Sequence, residues 1–172
     1  NANSGLVVDI NPERDFPGDP LAGVRLQRQL EEAAFVAGGS NYHAPGQRVE
    51  DLLASRPSTA FGVVEPSYKP GVKPTDLAEV LPAFVIDALR EALPVFGRQV
   101  PGYDHPDAVM TGVETRTSSP IRIRRGADFQ SINTAGLYPA GEGAGYAGGI
   151  LSAAVDGIKV AEALAAKLVA VG

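Results

Sequence analysis

Residues 137–162 read LYPAGEGAGYAGGILSAAVDGIKVAE, and this stretch carries the strongest fold signal in the chain. Residues 136–140 are predicted to form a short strand, residues 141–149 a glycine-rich turn, and the following residues a long helix to about Val169. Apolar side chains at helical spacing should share one face of that helix: Ile150, Ala154, Ile158, Ala161, Leu164 and Leu168. The stretch therefore predicts a strand–turn–helix unit.

The turn contains the pattern G-x-G-x-x-G, formed by Gly143, Gly145 and Gly148. Glycines allow a close backbone approach, and the first amides of a helix favour an anionic or electron-rich group. A first dinucleotide-binding unit is not predicted, because it needs a second strand ending in an acid about 20 residues on. Glu162 has that spacing but lies within the helical pattern. The lysine of an NTPase loop is missing as well. The alternative is that the glycines serve helix packing only.

Upstream of this stretch, the patterns predict a mixture of helices and short strands. Helices are predicted from Asp19-Pro20 to Gly38-Gly39, over residues 47–55 and 76–80, and from Pro82 to an end or kink at Pro94. Strands are predicted over residues 5–10, with a weaker signal at 61–64, and over residues 108–114 and 120–125 as a hairpin. The fold class is therefore mixed α+β.

Composition excludes several classes of function. The chain has 172 residues, a net charge of -5 and no cysteine. The acidic balance disfavours nucleic acid as a partner, and no apolar run approaches the ~18 residues of a membrane span. The absence of cysteine excludes disulfides and fits a cytoplasmic location, and no metal site is predicted. Residues 1–4 are interpreted as a disordered tag remnant.

Five stretches together resemble the C-terminal region of a family of bacterial FAD-dependent dehydrogenases. They are FPGDPLAG (16–23), GGSNYHAPGQRV (38–49), PSYKPGV (66–72), VETRTSSPIRI (113–123) and residues 137–162. The family consists of large flavoproteins distantly related to the glutathione reductase class. The resemblance implies that residues 131–172 are the last strand and helix of a Rossmann-like FAD-binding domain. Residues 5–130 would form a helix-rich insertion or substrate-type domain with a few strands.

The resemblance also implies a cofactor site at the turn. Gly141 and Glu142 would meet the ribityl and pyrophosphate region of FAD, although most of the wider class carries Asp in place of Glu142. The implied cofactor-binding residues are Gly141, Glu142, Gly143, Gly145, Tyr146, Ala147 and Gly148. The glycine motif that binds the ADP half is not in this sequence. The expected partner is therefore an N-terminal FAD-binding half, and this chain alone should bind FAD weakly or not at all and be inactive. NAD(P)H is a candidate electron donor.

Candidates for substrate chemistry lie mainly between residues 115 and 122. This segment concentrates hydroxyl and guanidinium groups that could bind a small-molecule carboxylate, or it is a polar hairpin loop. The candidate catalytic residues are Arg116, Thr117, Ser118, Ser119, Arg122 and, as an acid or base, His43. For His43 the alternative is a loop histidine. Arg124 and Arg125 are predicted to be a solvated strand end.

Three functions remain open from the sequence. The first is an oxidoreductase that moves electrons through FAD. The second is a non-catalytic cap or interaction domain whose glycine-rich turn serves packing only, and a small anion-binding module is a weaker third. Outside a complete FAD domain, the apolar face of the last helix is expected to contact another surface or to form a homodimer.

Overall fold

The structure, a computed structural model, describes residues 2–171. Asn1, which begins the interpreted tag remnant, and Gly172 lie outside the described residues. The chain forms two compact units. The first contains residues 2–11 and Leu26–Glu114, and the second contains Pro12–Arg25 and residues 115–171. The predicted domain boundary at residue 130 stays a prediction.

A three-stranded sheet lies in the first unit. Its central strand, β1 (Ala44–Arg48), pairs in parallel with β2 (Val72–Pro74) and antiparallel with β3 (Val109–Thr111). Both edges of β1 are therefore occupied, and its middle residues are buried. Residues 5–10, predicted as a strand, are irregular, as are residues 61–64. A strand forms only where a neighbouring edge can accept its hydrogen bonds, and pattern alone does not reveal that edge.

The helices of the chain are α1 (Pro12–Asp15), α2 (Ala22–Ala37), α3 (Val49–Leu53), a 3₁₀ turn at Leu77–Glu79, α4 (Ala83–Gln99) and α5 (Ile150–Val171). The amide of Gly39 donates to the Val36 carbonyl at 3.0 Å with a φ of 104°, and ends α2 as predicted. Pro94, expected to end or kink α4, lies inside it. The helix continues past it to Gln99.

One hydrophobic core holds the first unit together. It is formed by Val49 and Leu52 of α3, Leu77, and three residues of α4, Ile86, Leu89 and Leu93. The predicted helix over residues 47–55 is shorter than expected, because Gln47 and Arg48 belong to β1. Burial of Gln47 explains this: its amide oxygen accepts the Leu77 N–H at 3.0 Å, and its nitrogen donates to the Arg56 carbonyl at 2.7 Å.

The second unit consists of α1, the start of α2, long ordered loops and α5. The long final helix and the turn before it are confirmed, and the fold class is α+β, as predicted. The hairpin of residues 108–114 and 120–125 is wrong, because β3 pairs with β1 instead. Residues 120–125 and 136–140 form no strand; an isolated bridge joins Arg125 and Ser131. The glycine-rich turn is thus reached from a loop.

Candidate functional site

The glycine-rich turn is a compact loop closed by its own backbone. The amide of Gly145 donates to the Glu142 carbonyl at 2.9 Å, and that of Tyr146 donates to the Gly141 carbonyl at 3.0 Å. Gly141 and Gly145 have φ values of 67° and 81°, in the left-handed region that favours glycine. The predicted cofactor-binding residues 141–148 are therefore brought together in one turn at the start of α5.

A second segment, residues 119–125, lies along this turn. The Ser119 hydroxyl donates to the Gly143 carbonyl at 3.2 Å, and the Ile123 amide donates to the Ala144 carbonyl at 3.1 Å. The sequence predicted this segment as one arm of a hairpin. In the structure, the backbone of this segment and the Ser119 side chain form hydrogen bonds to the turn. We call residues 119–125 the bracing segment.

Arg125, the last residue of the bracing segment, forms a two-pronged ion pair with Asp156 of α5. Its two terminal nitrogens donate to the two carboxylate oxygens at 2.9 and 2.5 Å. One of them also donates to the Pro139 carbonyl at 2.7 Å. The side chains are only 9% and 13% exposed. The prediction of a solvated Arg125 is therefore wrong, because its charge is matched by a residue 31 positions away.

Asp156 also binds the backbone of the turn. Its Oδ2 atom accepts the Gly141 N–H at 2.8 Å. The hydrogen bond from Arg125 and the one from Gly141 outweigh partial burial and lower the pKa of Asp156 to about 2. The carboxylate is therefore charged at neutral pH, and it joins α5, the bracing segment and the turn at one point.

Tyr146 lies beneath two guanidinium groups. The central carbons of Arg125 and Arg122 lie 3.7 and 4.3 Å from the ring centre, and the Arg125 amide donates to the hydroxyl at 3.0 Å. Burial alone would raise the pKa of this hydroxyl. The hydrogen bonds and the two positive charges lower it, and the net pKa lies below the ordinary tyrosine value. Tyr146 is thus held in one orientation by cation–π contacts.

An open depression of about 350 Å³ lies beside Tyr146 and the start of α5. Its walls are formed by Tyr146, Leu151, Ser152, Val155, Asp156 and Lys159. It combines apolar surface with an ammonium group, which suits a ligand that has both an apolar and an anionic part.

The other sequence candidates are distributed over the two units. Arg116, Thr117 and Ser118 precede the bracing segment and are exposed. His43 belongs to the first unit, and its imidazole packs on Gly71, where an added methyl group would lie 3.1 Å from the ring. The structure therefore brings Ser119 and Arg122 into contact with the glycine-rich turn. His43 lies in the loop before β1, where its ring packs on Gly71.

The apolar face predicted for α5 is largely exposed. Ile150, Ile158 and Leu168 of that face are 90%, 59% and 66% exposed. Ala153, Asp156 and Val160 face the loops of the second unit instead. Sequence reasoning missed Asp156. Its signal was an acid among small residues one or two turns into an otherwise apolar helix.

A second polar cluster lies in the first unit. The Ser58 hydroxyl donates to Asp51 at 2.7 Å and accepts the Arg48 amide at 2.9 Å, while Arg56 donates to Asp51 at 2.6 Å. Burial would raise the pKa of Asp51, but the hydrogen bonds from Ser58 and Arg56 and nearby positive charge lower it overall. These bonds join β1 and α3 to the loop at residues 56–58, which indicates a structural role.

Within residues 2–171, no group of histidine and acidic side chains is suited to hold a metal ion. In the same part of the chain, every helix is too short or too polar to cross a membrane.

The comparisons with known proteins identify the class. Residues 1–117 match the family model described as FAD-dependent protein, C-terminal domain-like, and the chain belongs to this family. An uncharacterized protein of Clostridium beijerinckii is 55% identical over 163 residues. That alignment spans 94% of this chain but 30% of the relative. The resemblance to the FAD-dependent family is confirmed. The turn lies beyond residue 117, outside the segment that the family model matches.

Proposed function

We propose that this chain supplies the flavin-facing part of an FAD-dependent oxidoreductase. The turn at residues 141–149 would lie at the pyrimidine edge of the isoalloxazine ring, with Glu142 near the ribityl chain. FAD, when bound, supplies the electron-accepting chemistry. The residues of this chain orient the ring and favour negative charge beside it.

The observation that carries the proposal is the start of α5. Its first amides have no acceptor within the helix, and the dipole of a 22-residue helix places partial positive charge there. This end is open: a methyl group added at Gly143 or Gly148 would meet no atom within 4 Å. A planar ring can therefore approach the turn closely, and negative charge that develops on a reduced flavin would be stabilised.

The rest of the cofactor site is proposed to lie in the longer protein. This chain spans only 30% of its relative, so a separate region has room to bind the ADP half of FAD. The N-terminal half of the longer protein is thus the partner. NAD(P)H as donor, a small-molecule substrate and a cytoplasmic location stay predictions. Arg116, Thr117 and Ser118 remain candidates for the substrate side.

Absorbance spectroscopy tests the proposal. The full-length protein should purify with a flavin spectrum near one FAD per chain, and anaerobic NADH or NADPH should bleach it. The 172-residue chain alone should bind FAD weakly or not at all. A full-length protein that is colourless and releases no flavin on denaturation would refute the oxidoreductase proposal.

A non-catalytic cap or interaction domain is the second candidate. The observation that favours it is the irregular backbone at residues 136–140, because a flavin-binding turn of this class is expected to follow a strand. The bracing segment would then hold the turn for packing alone. A full-length protein that is colourless and binds no flavin would support this function.

A further inference from the structure

Four consecutive residues of the turn are each held by the bracing segment. Gly143 and Ala144 accept hydrogen bonds from Ser119 and Ile123. Gly145 packs on the backbone of residues 121 and 122, and the Tyr146 hydroxyl accepts the Arg125 amide. The contacts come from one short strip of backbone, so a shift of that strip would move all four residues together.

The Arg125–Asp156 pair fixes the bracing segment to α5. Arg125 lies between two rings, 3.7 Å from the centre of Tyr146 and 4.7 Å from that of Phe129. Its guanidinium spans Asp156 and the Pro139 carbonyl. Asp156 in turn holds the Gly141 amide, the first amide of the turn. The pair therefore ties the first residue of the turn and the Tyr146 ring to the same helix.

We propose that Arg125 and Asp156 are positioning residues that set the orientation of the turn at residues 141–149 relative to the start of α5. The effect on bound flavin rests on the function proposed above, whereas the positioning of the turn does not. Neither side chain needs to touch the isoalloxazine ring of the flavin. Both act through the backbone of Gly141 and the ring of Tyr146.

The chemistry of the pair makes the proposal specific. A lysine at position 125 would keep the positive charge but lose the planar fork that reaches Asp156 and Pro139 together. An asparagine at position 156 would keep the shape of the side chain but lose the charge that both donors use. Each conservative change should therefore loosen the turn while the apolar core of the first unit is unaffected.

Hydrogen exchange on the 172-residue chain tests the positioning. Arg125→Lys and Asp156→Asn should each speed exchange of the Gly141 and Tyr146 amides by about tenfold, the effect of one lost charged hydrogen bond. Arg124→Lys is the matched control, because Arg124 is exposed, and it should leave these amides unchanged. The Leu89 and Leu93 amides of α4 report that the first unit remains folded. Unchanged exchange at Gly141 and Tyr146 in both variants would overturn the proposal.

The full-length protein supplies a second readout that a purely structural role would not move. Arg125→Lys and Asp156→Asn should shift the flavin absorbance bands and lower the midpoint potential relative to wild type and Arg124→Lys. Faster exchange without any change in the spectrum or potential of bound flavin would overturn the link to the ring. A wild-type protein that contains no flavin would refute the proposed function, while the exchange data would still decide the positioning.

Discussion

Gly145 packs directly against the carbonyl oxygen of Ile121. A methyl group at position 145 would lie 2.6 Å from that oxygen, closer than real side chains approach, and 3.0 Å from the Arg122 Cα atom. The missing side chain lets the bracing segment approach the turn and form the Ile123–Ala144 hydrogen bond. The middle glycine of the G-x-G-x-x-G pattern is therefore required by packing as well as by its φ of 81°.

Gly145→Ala should destabilise the second unit by about 2 kcal/mol or more, because a left-handed alanine costs roughly 1–2 kcal/mol and the clash adds to it. Gly148→Ala is the matched control, since a methyl group there meets no atom within 4 Å. Its effect should stay within about 0.5 kcal/mol. The unfolding free energy of the second unit in each variant is measured by amide exchange of α5 at increasing denaturant concentration. Equal effects of the two substitutions would contradict the packing argument.

Acid should weaken the second unit through Asp156. Its pKa is lowered from 3.8 to about 2, so its stabilising contribution is full above about pH 4 and is lost as the pH falls through about 2. This lowering of the pKa corresponds to roughly 2 kcal/mol of unfolding free energy. The unfolding free energies of wild type and Asp156→Asn should therefore converge between pH 4 and about pH 2.

Asp128→Asn serves as the control for this titration, because Asp128 is exposed and accepts the Gln130 amide within a surface turn. The difference in unfolding free energy between Asp128→Asn and wild type should change little over the same pH interval. A gap between wild type and Asp156→Asn that stays constant down to about pH 2 would be evidence against the ion pair.

Ser58→Ala should destabilise the first unit by about 1–3 kcal/mol. The Arg48 amide and the Asp51 carboxylate would each lose the hydrogen bond that they form with the buried Ser58 hydroxyl. Thr59→Ala, at the exposed neighbouring position, should change stability by less than about 0.5 kcal/mol. Thermal unfolding of the two variants measures the difference. A Ser58→Ala variant as stable as Thr59→Ala would show that the cluster contributes nothing.

We propose that the isolated chain associates through the exposed apolar face of α5, as the sequence suggested. Ile150 and Ile158 of this face are 90% and 59% exposed, and such a patch favours self-association. Light scattering should show a mass that rises with concentration, and Ile158→Glu should restore the monomer. Val7→Glu, at a residue 77% exposed in the first unit, is the control and should not. A monomeric wild-type chain at every concentration would rule out the dimer.

The sequence by itself determined the local elements with strong signals. Helical periodicity predicted α5, the double glycine after Ala37 predicted the end of α2, and glycine spacing predicted the turn at residues 141–149. These features depend on interactions within a few residues along the chain, so local pattern is sufficient to find them.

Only the tertiary structure decided which edges pair and which charges meet. The strand predicted at residues 120–125 lies as irregular backbone along the turn, where the Ile123 amide donates to the Ala144 carbonyl. Arg125 becomes buried because Asp156, 31 residues away, faces it from α5. Apolar periodicity predicted which side chains share a face of α5, but it does not tell whether another element covers that face. Pairing across long separations depends on where the rest of the chain lies, and no short window of sequence contains that information.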